Sequence, residues 1–287
     1  MTQGNSVTPS PSEFPHIFVE IAWQIVPEVS YGDLVYLSQL AKQAGNEESY
    51  ELLVDCLRKI QWAKIAGKDA IAIENEIEKQ CAPDIIVVDY VGQVRYQKSL
   101  FDFIANGKAS LDSLAVFLNT FLGLGKKGGE RDFRKVSFCQ TVCSHDDVIG
   151  KYIKTLAEWL DKDRRTSDSI VATRDEWLHR GRPVVKSLGT HTEMGCLPIP
   201  KTLTSEFPGT DMPLTNDYYW KTQEFFDFHL QRLFTLFVVV VNRCITIEEK
   251  RTPKPIRRDL LPIHTQISAL PMRAINDIKI KKIRFRT

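Results

Sequence analysis

The segment Arg174-Asp175-Glu176-Trp177-Leu178-His179-Arg180-Gly181-Arg182-Pro183 holds the residue types that phosphodiester chemistry requires. On a helix, Asp175 and His179 are four residues apart and share a face. Arg174 stands about 140° around the axis from His179, so the two long side chains reach opposite flanks of that face. Arg182, just past the expected helix end, lies near His179 again. The outcome is an imidazole between cations, with a carboxylate one turn before it. Histidine titrates near neutrality and can move a proton to or from a ribose hydroxyl. Arginine can hold a phosphate and stabilise charge developing on its oxygens, and Asp175 is placed to fix the imidazole tautomer. No metal-ligand cluster lies nearby, so the natural version of this chemistry is metal-free cleavage of RNA. The 2′-hydroxyl is then the nucleophile and a 2′,3′-cyclic phosphate the product. DNA lacks that hydroxyl and is spared.

Such a motif needs a helix to present it and further helices to support that helix. Thr166 or Ser167 can cap a helix from about Asp168 to Arg180, with Gly181 and Pro183 as its stop. Apolar residues at three- and four-residue intervals predict helices over Tyr31–Ala44, Glu48–Ala66 and Asp69–Gln80. Residues 82–89 (APDIIVVD) read as a short strand or extended link. Leu100, Ile104, Gly107, Leu111, Leu114, Leu118 and Leu122 form one continuous stripe that ends at Gly123 and Gly125. Asp146–Asp161 predicts a further helix. Residues 183–214 are rich in Gly, Pro and Thr, with a small hairpin between Val184–Lys186 and Cys196–Ile199. After Thr215, the seam Phe226, Leu230, Leu233, Phe237, Val240, Cys244 and Ile247 predicts a long helix buried on more than half its circumference. The expected fold is mainly α, an up-and-down helical bundle with an N-terminal helical extension and a small hairpin insertion. Its parts are residues 1–91 (helical region), 92–249 (bundle) and 250–287 (basic tail).

Composition narrows the setting. Among 287 residues, 38 Lys+Arg against 36 Asp+Glu give a formal charge of +2. That total averages two unlike parts, because residues 250–287 carry +9 and residues 1–249 carry −7. A near-neutral total therefore does not exclude RNA as a partner. Residues 278–286 mix apolar and basic types in near alternation, a strand-like or fold-on-binding pattern suited to phosphate attraction or to an acidic protein. The start of the chain has no basic residue before an apolar run, and Leu233–Val241 is shorter than the ~20 apolar residues of a bilayer span. Six cysteines without a C-x-x-C pair are too sparse for a disulfide scaffold, so the expected compartment is the cytoplasm.

On these residues the chain resembles the HEPN domain family, whose signature is an Arg, a polar residue, three more residues and a His, late in an all-helical bundle. The match is Arg174, Asp175 and His179, followed by Arg180-Gly181. The resemblance covers roughly Tyr96 to Lys250. It implies a metal-independent endoribonuclease of a toxin–antitoxin, defence or RNA-processing system, working as a homodimer in which two copies of the motif face each other. It further implies His179 as general acid/base, Arg174 on the phosphate, Asp175 in support, and Arg180, Arg182 and Trp177 near the substrate. RNA and an inhibitor or antitoxin protein are the implied partners, with no cofactor and no metal.

Other clusters invite bland readings. Cys139, Cys143 and His145 could join Cys196 or His191 around zinc, but the spacing is not that of a standard finger and buried free thiols are common. Gly123–Gly129 lacks the strand and the Ser/Thr of a phosphate loop. Trp159, Trp177 and Trp220 sit at positions where core packing is commoner than base stacking. The alternative from another class is a non-catalytic helical module that docks a protein partner or nucleotide.

Overall fold

The computed structural model describes residues 16–25, 31–80, 90–161, 169–180, 196–198, 219–252 and 273–284, and among these the chain is mainly helical. In order, they form strand β1 (His16–Ile25) and helices α1 (Tyr31–Gln43), α2 (Glu47–Gln80) and α3 (Tyr90–Phe121). A single 3-10 turn (Gly128–Glu130) leads to α4 (Val136–His145), α5 (Asp147–Thr155), α6 (Ala157–Leu160) and the motif helix α7 (Ile170–Arg180). Strands β2 (Cys196–Pro198) and β3 (Tyr219–Lys221), helix α8 (Thr222–Arg251) and strand β4 (Arg273–Arg284) follow.

Helix α8 runs through the core. Its seam residues Phe226, Leu230, Leu233, Phe237, Val240 and Cys244 are buried, and so are their flanking neighbours Phe225, Phe234 and Val241. Burying an aromatic or branched side chain stabilises the fold by about 1.5–3 kcal/mol, so this helix supplies much of the driving force. It is also long and apolar enough to cross a membrane by composition, yet most of that surface is covered within the molecule. Helices α2 and α3 run antiparallel alongside each other. Lys59 donates to Ser113 at 2.7 Å toward one end, and Arg95 lies 3.8 Å from Glu76 toward the other. One apolar cluster extends from Leu34 to Ile245, so residues before and after position 91 share a core.

Two glycines inside helices mark close approaches. The predicted break between Ala66 and Asp69 is absent, and α2 continues through Gly67. A Cβ there would sit 3.3 Å from Phe226 and 3.4 Å from Phe103, whose rings meet at 4.4 Å, so Gly67 makes room for two aromatics. Gly107 occupies a stripe position on α3 without a side chain because Ile170, the first residue of α7, fills the space. A Cβ would meet Ile170 Cδ1 at 2.8 Å and Leu233 Cδ1 at 3.3 Å.

Other boundaries differ from expectation for local reasons. The helix expected over Asp146–Asp161 divides at Leu156, where the Thr155 hydroxyl donates to the Tyr152 carbonyl at 2.7 Å. After this break Trp159 Nε1 donates to the buried His229 Nδ1 at 2.9 Å. The cap of α7 is Ser169, whose hydroxyl accepts from the Ala172 N–H at 3.1 Å and donates to the Asp161 carbonyl at 2.6 Å. Thr166 and Ser167 lie outside the described residues, as do Gly181, Pro183, residues 82–89 and Val184–Lys186. Residues Cys196–Pro198 pair with Tyr219–Lys221, so α8 begins at Thr222 and not after Thr215. Tyr219 and Trp220 are aromatic residues that favour strand.

Residues of the two ends of the chain pair as an antiparallel ribbon of β1 and β4. The register sets Ile17 opposite Ile283, Val19 opposite Ile280, Ile21 opposite Ile278 and Trp23 opposite Ile275. Steps along β1 are two residues, whereas the isoleucines are three, two and three apart. Register shifts between Ile17 and Val19 and between Ala22 and Trp23 absorb the extra residues, which keeps all four isoleucines in step with one alternate set of β1. Strand β4 lies beside α5 and α8. The alternation of residues 278–284 is therefore that of a paired strand.

Two outcomes test this packing. Gly107→Leu should lower stability by about 1–3 kcal/mol in urea unfolding, and an unchanged midpoint would contradict the close α3–α7 contact. Ile21→Cys with Ile278→Cys should crosslink within one chain on mild oxidation, detected by peptide mass spectrometry. Glu20→Cys with Ile278→Cys, one residue out of register, should crosslink poorly.

Candidate functional site

Helix α7 docks on α3 through Ile170 and Gly107, and its buried side holds Val171, Ala172, Thr173 and Trp177. This fixes the azimuth of the motif. Arg174 and Asp175 emerge half-buried at the rim, while Leu178 and His179 are exposed. Trp177 is in the core, its ring 6.0 Å from Phe225 and 32° from parallel, so it anchors the helix and offers no open face to a base. The Arg180 side chain and all of Arg182 lie outside the described residues.

The carboxylate of Asp175 meets arginines. Oδ1 accepts from Arg174 Nη1 at 2.8 Å, and Oδ2 lies 3.6 Å from Arg134 Nη1. Among the described residues, nothing hydrogen-bonds the His179 imidazole. Helical spacing puts Asp175 and His179 on one face, but Arg134, from a distant part of the chain, competes for the carboxylate with a full positive charge.

Arg134 arrives from the loop between α3 and α4. That loop is fastened by Asn119, whose side chain accepts from the Lys126 N–H at 2.9 Å and donates to the Lys126 carbonyl at 3.3 Å. Gly123, Gly125 and Gly128 adopt positive φ of 65°, 68° and 49°, conformations that suit glycine. Phe133 then plugs into the core edge-on against Phe138. The buried Asp132 accepts the Arg134 backbone N–H at 2.8 Å and its Nε and Nη2 at 2.6 Å each. Burial opposes ionisation of Asp132, but the Arg134 side-chain and backbone hydrogen bonds, with Lys108 nearby, outweigh it and hold the carboxyl below its ordinary range. Lys108 is itself buried on α3 and is paired with Asp112. Three cations and three carboxylates thus surround the base of the motif. Sequence reading did not single out Lys108, Asp132 or Arg134.

The remaining candidates are accounted for locally. Trp159 is buried on His229. Cys139, Cys143 and His145 lie on or at the end of α4. Burial pushes the Cys139 thiol up to about 11, its Sγ donates to the Phe133 carbonyl at 3.3 Å, and His145 Nδ1 lies 2.9 Å from the Thr141 carbonyl. Gly150 of α5 packs against Cys143, where a Cβ would sit 2.3 Å from the Cys143 Cα. Among the described residues no group of three metal-ligating side chains converges. His191 and the Cys196 and Trp220 side chains are outside the described set.

No protein-family model, curated protein or solved structure matches this chain.

The lowered Asp132 value has a definite pH signature. A carboxyl held below its unfolded value of about 3.9 stabilises the fold above that pH, and the contribution fades as pH falls through the folded value. Arg134→Ala should therefore cost about 1.5–3 kcal/mol in urea unfolding at pH 7 and less at pH 2.5, which lies below the unfolded value, so part of the pair's contribution is already lost there. An equal deficit at both pH values would show that the charge pair is not the cause.

Proposed function

We propose that the protein is a metal-independent endoribonuclease of HEPN type. The observation that carries this reading is the state of Arg174. One guanidinium nitrogen is held by Asp175, while Nε and Nη2 have no acceptor among the described residues. The exposed His179 stands five residues further on the same helix. A phosphate on Arg174 places its ribose within range of a base on the adjoining helix turn. His179 then takes the 2′-hydroxyl proton, the hydroxyl oxygen attacks phosphorus, and the 5′-oxygen leaves with a proton from a general acid. In a homodimer, the second copy of His179 supplies that acid. Asp175 serves the guanidinium rather than the imidazole. Arg180, Arg182 and the basic stretch around β4 extend the attraction for the RNA backbone. A cytoplasmic toxin or defence role, restrained by an inhibitor protein, fits such an activity.

A second reading has its own support. Leu178 beside His179, and Val136 two residues from Arg134, are large exposed apolar residues next to a charge-balanced cluster. That combination suits a helical module that docks a protein without catalysis.

Incubation of single-stranded RNA with the protein in EDTA separates the two. Cleavage should yield 2′,3′-cyclic phosphate ends, spare DNA of the same sequence, and fall about 100-fold or more with His179→Ala or Arg174→Ala. Cleavage that survives both substitutions would rule out this site.

A further inference from the structure

We propose that Arg134, forty residues before the motif, is a positioning residue that sets the Arg174 guanidinium through Asp175. The proposal rests on the reading of Arg174 as the phosphate-binding group. Its basis is a chain of alternating charges: Asp132, Arg134, Asp175, Arg174. The successive contacts are 2.6, 3.6 and 2.8 Å.

Each link is more constrained than the next. Asp132 is buried, and it holds both the backbone and the side chain of Arg134. The backbone of Arg134 is further fixed by the buried Phe133 and by the Asn119-fastened loop. Nε and Nη2 of Arg134 are committed to Asp132, leaving Nη1 toward Asp175. Arg134 is thus poorly placed to act as a ligand and well placed to hold a carboxylate. Asp175 in turn holds one nitrogen of Arg174.

The chain ends differently from a structural ion network, in which the last member is also satisfied. Arg174 is one-third exposed and keeps two nitrogens without an acceptor among the described residues. A guanidinium held on one edge and open on the other presents a planar fork in a fixed direction, the geometry that two oxygens of a phosphate accept. An untethered arginine would first have to lose the rotamer freedom of a long side chain on binding. Placing the tether in the loop before α4 makes the orientation of Arg174 depend on a segment distant in sequence from the motif. Lysine at 134 keeps the charge but cannot hold two carboxylates with a planar fork, so it should not restore the function of arginine.

Two measurements test this with Arg134→Gln, Arg134→Lys and Asp175→Asn. The Asp175→Asn variant leaves the Asp132–Arg134 pair intact, so it remains informative where an Arg134 variant folds poorly. The first measurement is arginine-selective 15N NMR of the side-chain Nε–H groups, with the Arg174 signal assigned by its loss in Arg174→Lys. In the wild type this signal should show slow guanidinium rotation. Arg134→Gln and Asp175→Asn should both bring it to the fast rotation of a free arginine. An Arg174 signal unchanged in both variants overturns the proposal. The second measurement is cleavage of a fluorescein-labelled single-stranded RNA 20-mer, with kcat and KM determined separately. Both variants should lower kcat about 10- to 100-fold, Asp175→Asn at unchanged melting temperature, with Arg134→Lys no better than Arg134→Gln. A wild-type kcat in both variants also overturns it. If wild-type protein cleaves no RNA, the ribonuclease reading fails, and the NMR result alone decides whether Arg134 sets Arg174.

Discussion

Helix α8 imposes the constraint on which the rest of the structure depends. Seam and flanking residues from Phe225 to Cys244 are removed from water, so the other helices must cover it on several sides. Polar residues on such a helix must find partners inside. His229 accepts the Trp159 indole N–H, Arg232 donates to the Phe228 carbonyl at 2.8 Å, and Glu248 accepts from Asn46 and Arg251 at 3.2 and 3.0 Å. The first and the Asn46 bond run between elements and fix which helix lies where, while the Arg232 and Arg251 bonds stay within α8. Indole on imidazole sets α6, and Asn46 with Glu248 sets the α1–α2 turn. The apolar faces alone would tolerate rotation and sliding. The polar contacts select one arrangement.

That arrangement delivers the motif to the surface with a defined azimuth. Trp177 and Ile170 are drawn inward, and the 3.6-residue period then leaves Arg174 and Asp175 at the rim and His179 outside. The same packing brings the loop after α3 alongside α7, and Arg134 with it. Asp175 thus stands between a cation from its own helix and one from a different part of the chain. Coulombic attraction between full charges holds the Asp175 carboxylate between Arg174 and Arg134, so the same-face pairing of Asp175 with His179 gives way to an arginine bridge.

Legibility followed the range of the cause. The stripe from Leu100 to Leu122, the Gly123 and Gly125 stop, and the seam of α8 were readable because apolar spacing and local backbone preference determine them. The break expected between Ala66 and Asp69 is absent because Gly67 admits Phe226 and Phe103 inside a continuous helix, a role that apolar spacing does not reveal. The start of α8 was placed too early because Tyr219–Lys221 is claimed by Cys196–Pro198, a pairing across more than twenty residues. Arg174, Asp175 and His179 were visible as types at a spacing. Arg134, Asp132 and Lys108 were not, because nothing local distinguishes them from surface charges. Only the packing of α3 against α7 turns them into neighbours.

The distribution of charge changes in meaning as well. Residues 250–287 carry +9, and within them 273–284 is engaged in backbone pairing with β1, with Lys279 opposite Glu20. Pairing fixes the spacing of its basic residues along a strand, at about 3.3 Å per residue. The cluster at the base of the motif is charge-balanced, three cations to three carboxylates, so it contributes little long-range attraction. Its effect lies in orientation at short range. The densest source of basic charge in the sequence is the part that includes β4, so under the proposed reading any long-range attraction for RNA would come from there. On the proposed ribonuclease reading, these two regions would divide the labour, one attracting RNA and the other, electrically neutral overall, holding a single guanidinium in a fixed orientation.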